Sequence, residues 1–285
     1  MFQPDLLAGQ RILITGGGSG LGKGMGRRCL ELGADLVICG RRTEVLEEAK
    51  AEFDADFPGG TATYGCDIRD ADQVEAMLDG VFAERPITAL VNNAAGNFLA
   101  RSETLSPRAF DAVTRIVLNG TAYVTLGVGR RWLEAGQSGT VLSIVATYAW
   151  TGSGYVLPSA CAKAGVQALT QSLAVEWGGR GIRLNAIAPG PFPTEGAWER
   201  LVPSKDLDSA WKARIPLGRF GEHDELANLA CFLLAGGSGY INGETVVIDG
   251  GEWLKGAGQF NFMEALDDED WDEMTRKAQK ARNKG

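Results

Sequence analysis

The chain holds a single histidine among its 285 residues, so imidazole catalysis would rest on His223 alone. That residue stands between Glu222 and Asp224 just ahead of an apolar helical pattern, which predicts a solvated or capping role. Cysteine offers no ligand set either: Cys29, Cys39, Cys66, Cys161 and Cys231 lie far apart, with no CxxC pair and no histidine at zinc spacing. This excludes a metal site and leaves the thiols as small buried apolar residues of a reducing compartment. No apolar run is long enough to cross a bilayer, which excludes a membrane partner. Met1 to Gln10 offers neither a basic n-region nor an apolar h-region, and Arg282-Asn283-Lys284-Gly285 is no peroxisomal tripeptide, so the expected address is cytoplasmic. Positive charge is also short: 28 Lys and Arg face 36 Asp and Glu, a formal net charge of -8, and the basic residues form no stripe. Such a surface repels a phosphate backbone and excludes nucleic acid as a partner.

What is present suits one large core: 45% of residues are hydrophobic and 22% charged, with no fixed repeat and no long Ser/Pro/Gly linker. Short β-branched runs occur at Arg11 to Thr15, Asp35 to Cys39, Thr61 to Cys66, Ala89 to Asn92, Gly139 to Ile144, Arg183 to Ile187 and Thr245 to Ile248. Between them, Gly22 to Leu32, Glu44 to Phe53, Ala71 to Ala83, Pro107 to Glu134, Pro158 to Trp177 and Glu222 to Leu234 carry apolar residues near helical spacing. The rhythm predicts an α/β fold: a single doubly wound parallel sheet of the Rossmann type, about seven strands with helices on both faces, as one domain over 1–285. The stretch 190–215, rich in Pro, Trp and charge, reads as a substrate-covering segment. The extension 252–285 runs from acidic to basic, which suits a helix dipole and predicts a terminal helix packed on the domain or on a neighbouring subunit.

After the first strand comes Thr15-Gly16-Gly17-Gly18-Ser19-Gly20-Leu21-Gly22, then a helical pattern. Glycines let the backbone turn tightly there and approach a pyrophosphate, held by free amides and the positive end of the helix. Gly16, Gly18, Ser19, Gly20, Leu21 and Gly22 are therefore the candidate phosphate residues. At the end of the second strand, where an NAD-preferring site places an acid on the ribose hydroxyls, stand Arg41 and Arg42. A guanidinium forks a ribose 2′-phosphate, so the cofactor expected is NADP(H). The alternative, a solvated pair opening the next helix, accounts better for Arg42 than for Arg41. Asp67 closes the third strand where a carboxylate would accept from the adenine amine; a helix cap is the competing explanation.

The glycine pattern, Asn92-Asn93-Ala94-Ala95-Gly96, Pro189-Gly190 with Thr194, and Asp249-Gly250-Gly251 together resemble the short-chain dehydrogenase/reductase family across nearly the whole chain. That family pairs a tyrosine and a lysine as YxxxK, with a serine earlier on the fifth strand. Here the lysine is Lys163, but Ser159 stands in the tyrosine's place, and Ala146 stands where the serine would fall, with Ser143 three residues earlier. The strings around Asn97-Phe98, Asn119, Tyr148 through Gly154, Lys163 and Pro189-Gly190-Pro191 are similar to one branch, the NADPH-dependent 2,4-dienoyl-CoA reductases of unsaturated fatty acid β-oxidation. That branch carries the same serine and uses a displaced tyrosine.

The resemblance implies the following roles. Tyr148 and Asn97 donate to the thioester oxygen as hydride arrives at the far end of the conjugated system, so the site stabilises an enolate. Lys163 grips the nicotinamide ribose, and Ser159 positions. Pro189, Gly190, Pro191, Phe192 and Thr194 cover the nicotinamide. Phe98 and Ser106 lie near the acyl chain, and Arg69 and Arg200 match positions where basic groups meet the phosphates of an acyl-CoA substrate. A homotetramer is implied as well. Two alternatives stay open: a short-chain reductase of another acyl thioester, such as a 3-oxoacyl one, or of a carbonyl, with Tyr155 as donor, and a non-catalytic NADPH-binding regulator.

Overall fold

The seven predicted strands all form: β1 (Arg11–Thr15), β2 (Asp35–Gly40), β3 (Thr61–Gly65), β4 (Ala89–Asn92), β5 (Gly139–Ile144), β6 (Ile182–Pro189) and β7 (Thr245–Ile248). The computed structural model, which describes residues 1–194 and 205–282, orders them as one parallel sheet, β3-β2-β1-β4-β5-β6-β7. Side chains alternate across the pleat. Ile12 and Ile14 join Met25, Cys29 and Leu226 on one face, while Leu13 joins Leu78, Val124 and Trp132 on the other. Both faces are thus buried, which is the condition a parallel sheet requires. The strand order reverses between β1 and β4, so a crevice opens at their carboxyl ends, where doubly wound folds place ligands.

The helices are α1 (Gly20–Glu31), α2 (Thr43–Asp56), α3 (Ala71–Glu84), α4 (Pro107–Thr114), α5 (Thr121–Glu134), α6 (Tyr148–Thr151), α7 (Leu157–Gly178), α8 (Lys205–Lys212), α9 (His223–Leu234), α10 (Glu252–Ala257) and α11 (Asp268–Arg282). The single helix expected over Pro107 to Glu134 is interrupted by a π-helical turn, Arg115–Gly120. A Cβ at Gly120 would lie 2.7 Å from the Ile68 side chain, so a close approach between this turn and the end of β3 depends on that glycine. Such bulges favour functional sites, and this one brings Ile116 to the crevice.

Cys29, Cys39, Cys66 and Cys231 are buried as expected, but Cys161 is exposed, which corrects that expectation. The terminal helix forms as α11 with Trp271 and Met274 46% and 41% exposed, so of the two packings expected, on the domain or on a neighbouring subunit, the chain does not supply the first.

Candidate active site

The turn from β1 into α1 is shaped for close approach. Gly16 and Gly20 have φ of +67° and +53°, and a Cβ on Gly22 would stand 2.4 Å from the Gly16 carbonyl oxygen. Ser19 caps α1 without a side-chain bond, which leaves the first amides of the helix open to an anion. Gly16, Gly18, Ser19, Gly20 and Leu21 line a cleft of about 400 Å³ with Arg41 and Arg42 beyond them. Both arginines are exposed and form no ion pair among the described residues, so their guanidiniums are available to a phosphate. Arg42 also opens α2, as the alternative reading held.

Asp67 lines the same cleft but already has a partner. Its carboxylate accepts from Arg69 Nε at 2.9 Å and from the Arg69 backbone amide at 3.1 Å. This pairing holds the Asp67 carboxyl below the ordinary carboxylate range. The cap of α3 is instead Asp70, which accepts from the amides of Asp72 and Gln73, so Asp67 is not the helix cap. Arg69, placed by resemblance on a coenzyme A phosphate, is engaged with Asp67 in this chain.

Lys163 and Ser159 stand one turn apart on α7 and are both buried. The Lys163 amine donates to the Ile144 carbonyl at the end of β5 and also lines the same cleft as the glycine turn. Burial pushes it down from 10.5 to about 8. Tyr148 begins α6, and its hydroxyl lies 3.0 Å from Ser159 Oγ. Burial raises the Tyr148 phenol, and the bond to Ser159 opposes that rise. Ser143 is fully buried on β5, within 3.4 Å of the Asn92 amide, while Ala146 lines the neighbouring cavity. Neither Ser143 nor Ala146 thus brings a hydroxyl to the cavity, and among the described residues Ser159, itself buried, meets only the Tyr148 hydroxyl.

A second cavity, of about 700 Å³, adjoins the cleft through Phe192 and Thr194, which line both. Tyr148, Asn97, Pro189, Gly190 and Pro191 line it too. Asn97 Oδ1 accepts from the Phe98 amide at 2.9 Å, and the Asn97 side-chain nitrogen has no partner among the described residues. A Cβ on Gly190 would stand 2.7 Å from Asp249 Cβ, so only glycine lets this segment pass β7. Thr194 reaches back to the glycine turn, where a Cβ on Gly20 would lie 3.4 Å from its methyl.

His223, expected in a solvated or capping role, is half-buried as the first residue of α9. Its Nε2 lies 2.7 Å from the Pro193 carbonyl, fixing the segment that leads to Thr194, while Glu222 and Glu225 form the capping box of α9. Phe98 packs with Val113, Val117 and Val145 rather than lining the cavity, and Ser106 caps α4 by accepting from the Ala109 amide at 3.2 Å. Arg200 lies outside the described residues. Trp211 and Arg214, from the segment expected to cover the substrate, form a wall of the cavity with Glu252 and Trp253, which the sequence reading had not placed there. Trp211 Nε1 donates to Glu252 Oε1 at 2.8 Å, Arg214 Nε stands 3.9 Å from that oxygen, and burial pushes the Glu252 carboxyl up. The one sequence signal was the tryptophan content of 190–215 and of the extension. Among the described residues no helix is long and apolar enough to cross a membrane, and no cluster of His, Cys, Asp and Glu would hold a metal.

A family model described as enoyl-(acyl carrier protein) reductase matches residues 16–252. A probable 2,4-dienoyl-CoA reductase of Bacillus subtilis, described as (2E)-enoyl-CoA-producing, is 44% identical over 245 residues, 85% of this chain and 96% of that protein. A short chain dehydrogenase from Bacillus anthracis, solved at 1.99 Å, is 43% identical with a TM-score of 0.80, over 88% of this chain and 98% of that one. A gluconate 5-dehydrogenase from Burkholderia cenocepacia, solved in complex with NADP and tartrate, is 32% identical with a TM-score of 0.81, over 88% of this chain and 98% of that one. Likeness of this extent, on a sheet wound in the same sense around an open glycine turn, assigns the chain to the short-chain dehydrogenase/reductase family of oxidoreductases.

Proposed function

We propose that the protein reduces a conjugated 2,4-dienoyl-CoA thioester with NADPH. The observation that carries this reading is the bond of 3.0 Å between Tyr148 and Ser159, with Lys163 one turn further along α7. A ketone reductase of the family would have its tyrosine on that helix in place of Ser159. The displaced tyrosine points to a donor set aimed at a different oxygen. The B. subtilis relative, named for dienoyl-CoA reduction, supports the substrate class.

The open amides after Ser19 suit the pyrophosphate, and the exposed Arg41 and Arg42, without an ion pair among the described residues, suit a 2′-phosphate, in keeping with the NADP bound to the gluconate 5-dehydrogenase. Bound there, NADPH supplies the hydride. Lys163 binds the ribose hydroxyls and so orients the nicotinamide face. As negative charge gathers on the thioester oxygen, the Tyr148 hydroxyl and the Asn97 amide nitrogen donate to it. Ser159 orients the Tyr148 hydroxyl, and water supplies the proton that the carbon chain takes up. The exposed Trp271 and Met274 of α11 support assembly with further copies of the chain. The test is oxidation of NADPH by the purified protein in the presence of hexadienoyl-CoA. Ketone reduction without any dienoyl turnover would replace this reading with that of a carbonyl reductase.

A further inference from the structure

Tyr155 is the only described residue other than glycine with a left-handed backbone, at φ 68°. A residue with a Cβ is crowded there, which is why glycine usually takes such positions. Glycine is at hand, since Gly152 and Gly154 stand in the same turn and Gly152 has φ 67°. The chain nevertheless keeps a bulky ring at 155. Strain of this kind persists where the surroundings hold it, and it gathers at functional sites. The holding contact is the Tyr155 carbonyl, which accepts from the Ala100 amide at 2.9 Å and ties the turn to the segment carrying Asn97 and Leu99. Within the chain the ring itself gains little. It is 65% exposed, and its hydroxyl has no partner among the described residues. Yet it lines the second cavity together with Leu99, itself 51% exposed.

We propose that Tyr155 and Leu99 form an apolar wall at the mouth of this cavity, left bare until the hydrocarbon tail of a substrate covers it. The ligand class is an acyl-CoA with a long tail rather than a short or polar one. Tyr155 is then a specificity-determining residue and not a proton donor. The inference rests on the acyl-CoA reading above and deepens it. Covering about 50 Å² of ring face corresponds to about tenfold in affinity.

Calorimetric binding of decanoyl-CoA and of butanoyl-CoA to the full chain saturated with NADP⁺ tests the proposal. Tyr155→Gly is expected to weaken decanoyl-CoA about tenfold and butanoyl-CoA less than about twofold. Its Tm should stay within about 3 °C of wild type, because relief of the left-handed strain offsets the entropy that glycine adds to the unfolded chain. Tyr155→Phe, which keeps the ring, should hold the decanoyl-CoA affinity within about twofold of wild type. Equal weakening of both ligands by Tyr155→Gly, or weakening of neither, overturns the proposal while leaving the acyl-CoA reading in place. A wild-type protein that binds neither ligand overturns both.

Discussion

Lys163→Met separates what the buried lysine does for the fold from what it does for the cofactor. The residue is 7% exposed, and burial pushes its amine from 10.5 to about 8. At about 1.4 kcal/mol per tenfold in proton affinity, keeping the proton at pH 7 costs the fold on the order of 3 kcal/mol. Methionine fills the same space without charge but leaves the Ile144 carbonyl without its donor, a loss of about 1 kcal/mol. The net gain of about 2 kcal/mol corresponds to a Tm higher by about 3 °C at pH 7. The sign follows from the depressed value in the folded chain. Below about pH 8 folded and unfolded chains both carry the proton and the penalty is complete. Between about 8 and 10.5 the unfolded chain keeps a proton that the folded chain has released, so wild-type stability rises with pH, and above 10.5 the penalty is gone. The advantage of the methionine therefore shrinks between pH 7 and pH 10. Thermal unfolding of both proteins without cofactor at the two pH values reads this directly, and NADPH oxidation should fall by at least about 100-fold once the ribose loses its anchor. A variant that melts lower at pH 7, or an advantage independent of pH, would refute the reasoning.

Two further outcomes follow from the site. Tyr148→Phe removes one donor to the thioester oxygen and should lower kcat with a dienoyl-CoA by about 100- to 1000-fold, measured by steady-state NADPH oxidation. Arg41→Ala should raise the KM for NADPH by about tenfold or more while leaving the KM for NADH nearly unchanged, since only NADPH carries the 2′-phosphate; equal effects on both cofactors would place Arg41 outside the phosphate site.

The sheet was legible because alternation within each strand is a local signal: Ile12, Leu13 and Ile14 read as a strand and divide between two cores as one. The glycine turn was legible for the same reason, since both its chemistry and its neighbours lie within a few residues. The break at Arg115–Gly120 was not, because a π turn leaves the apolar spacing of Pro107 to Glu134 nearly unchanged and depends on Ile68 approaching Gly120 from another element. Arg69 shows a different limit. Its resemblance to a phosphate-binding position says nothing of Asp67, two residues away, which takes its guanidinium in this chain. Trp211, Glu252 and Trp253 meet in the cavity only because α8 and α10, from distant parts of the chain, flank the same crevice, and no local pattern joins them. The pairing of Tyr148 with Ser159 falls between these cases: both residues were readable from the motif, and their distance comes from α6 turning back onto α7.

Stabilisation of charge on a conjugated thioester is the chemistry proposed for this site. Its most direct test is hexadienoyl-CoA turnover by the purified wild-type protein, followed as loss of NADPH absorbance beside a panel of simple ketones and 3-oxoacyl thioesters. Rapid NADPH oxidation is expected with the dienoyl thioester and little with the panel. Reduction of the ketones with no turnover of any dienoyl thioester would contradict it.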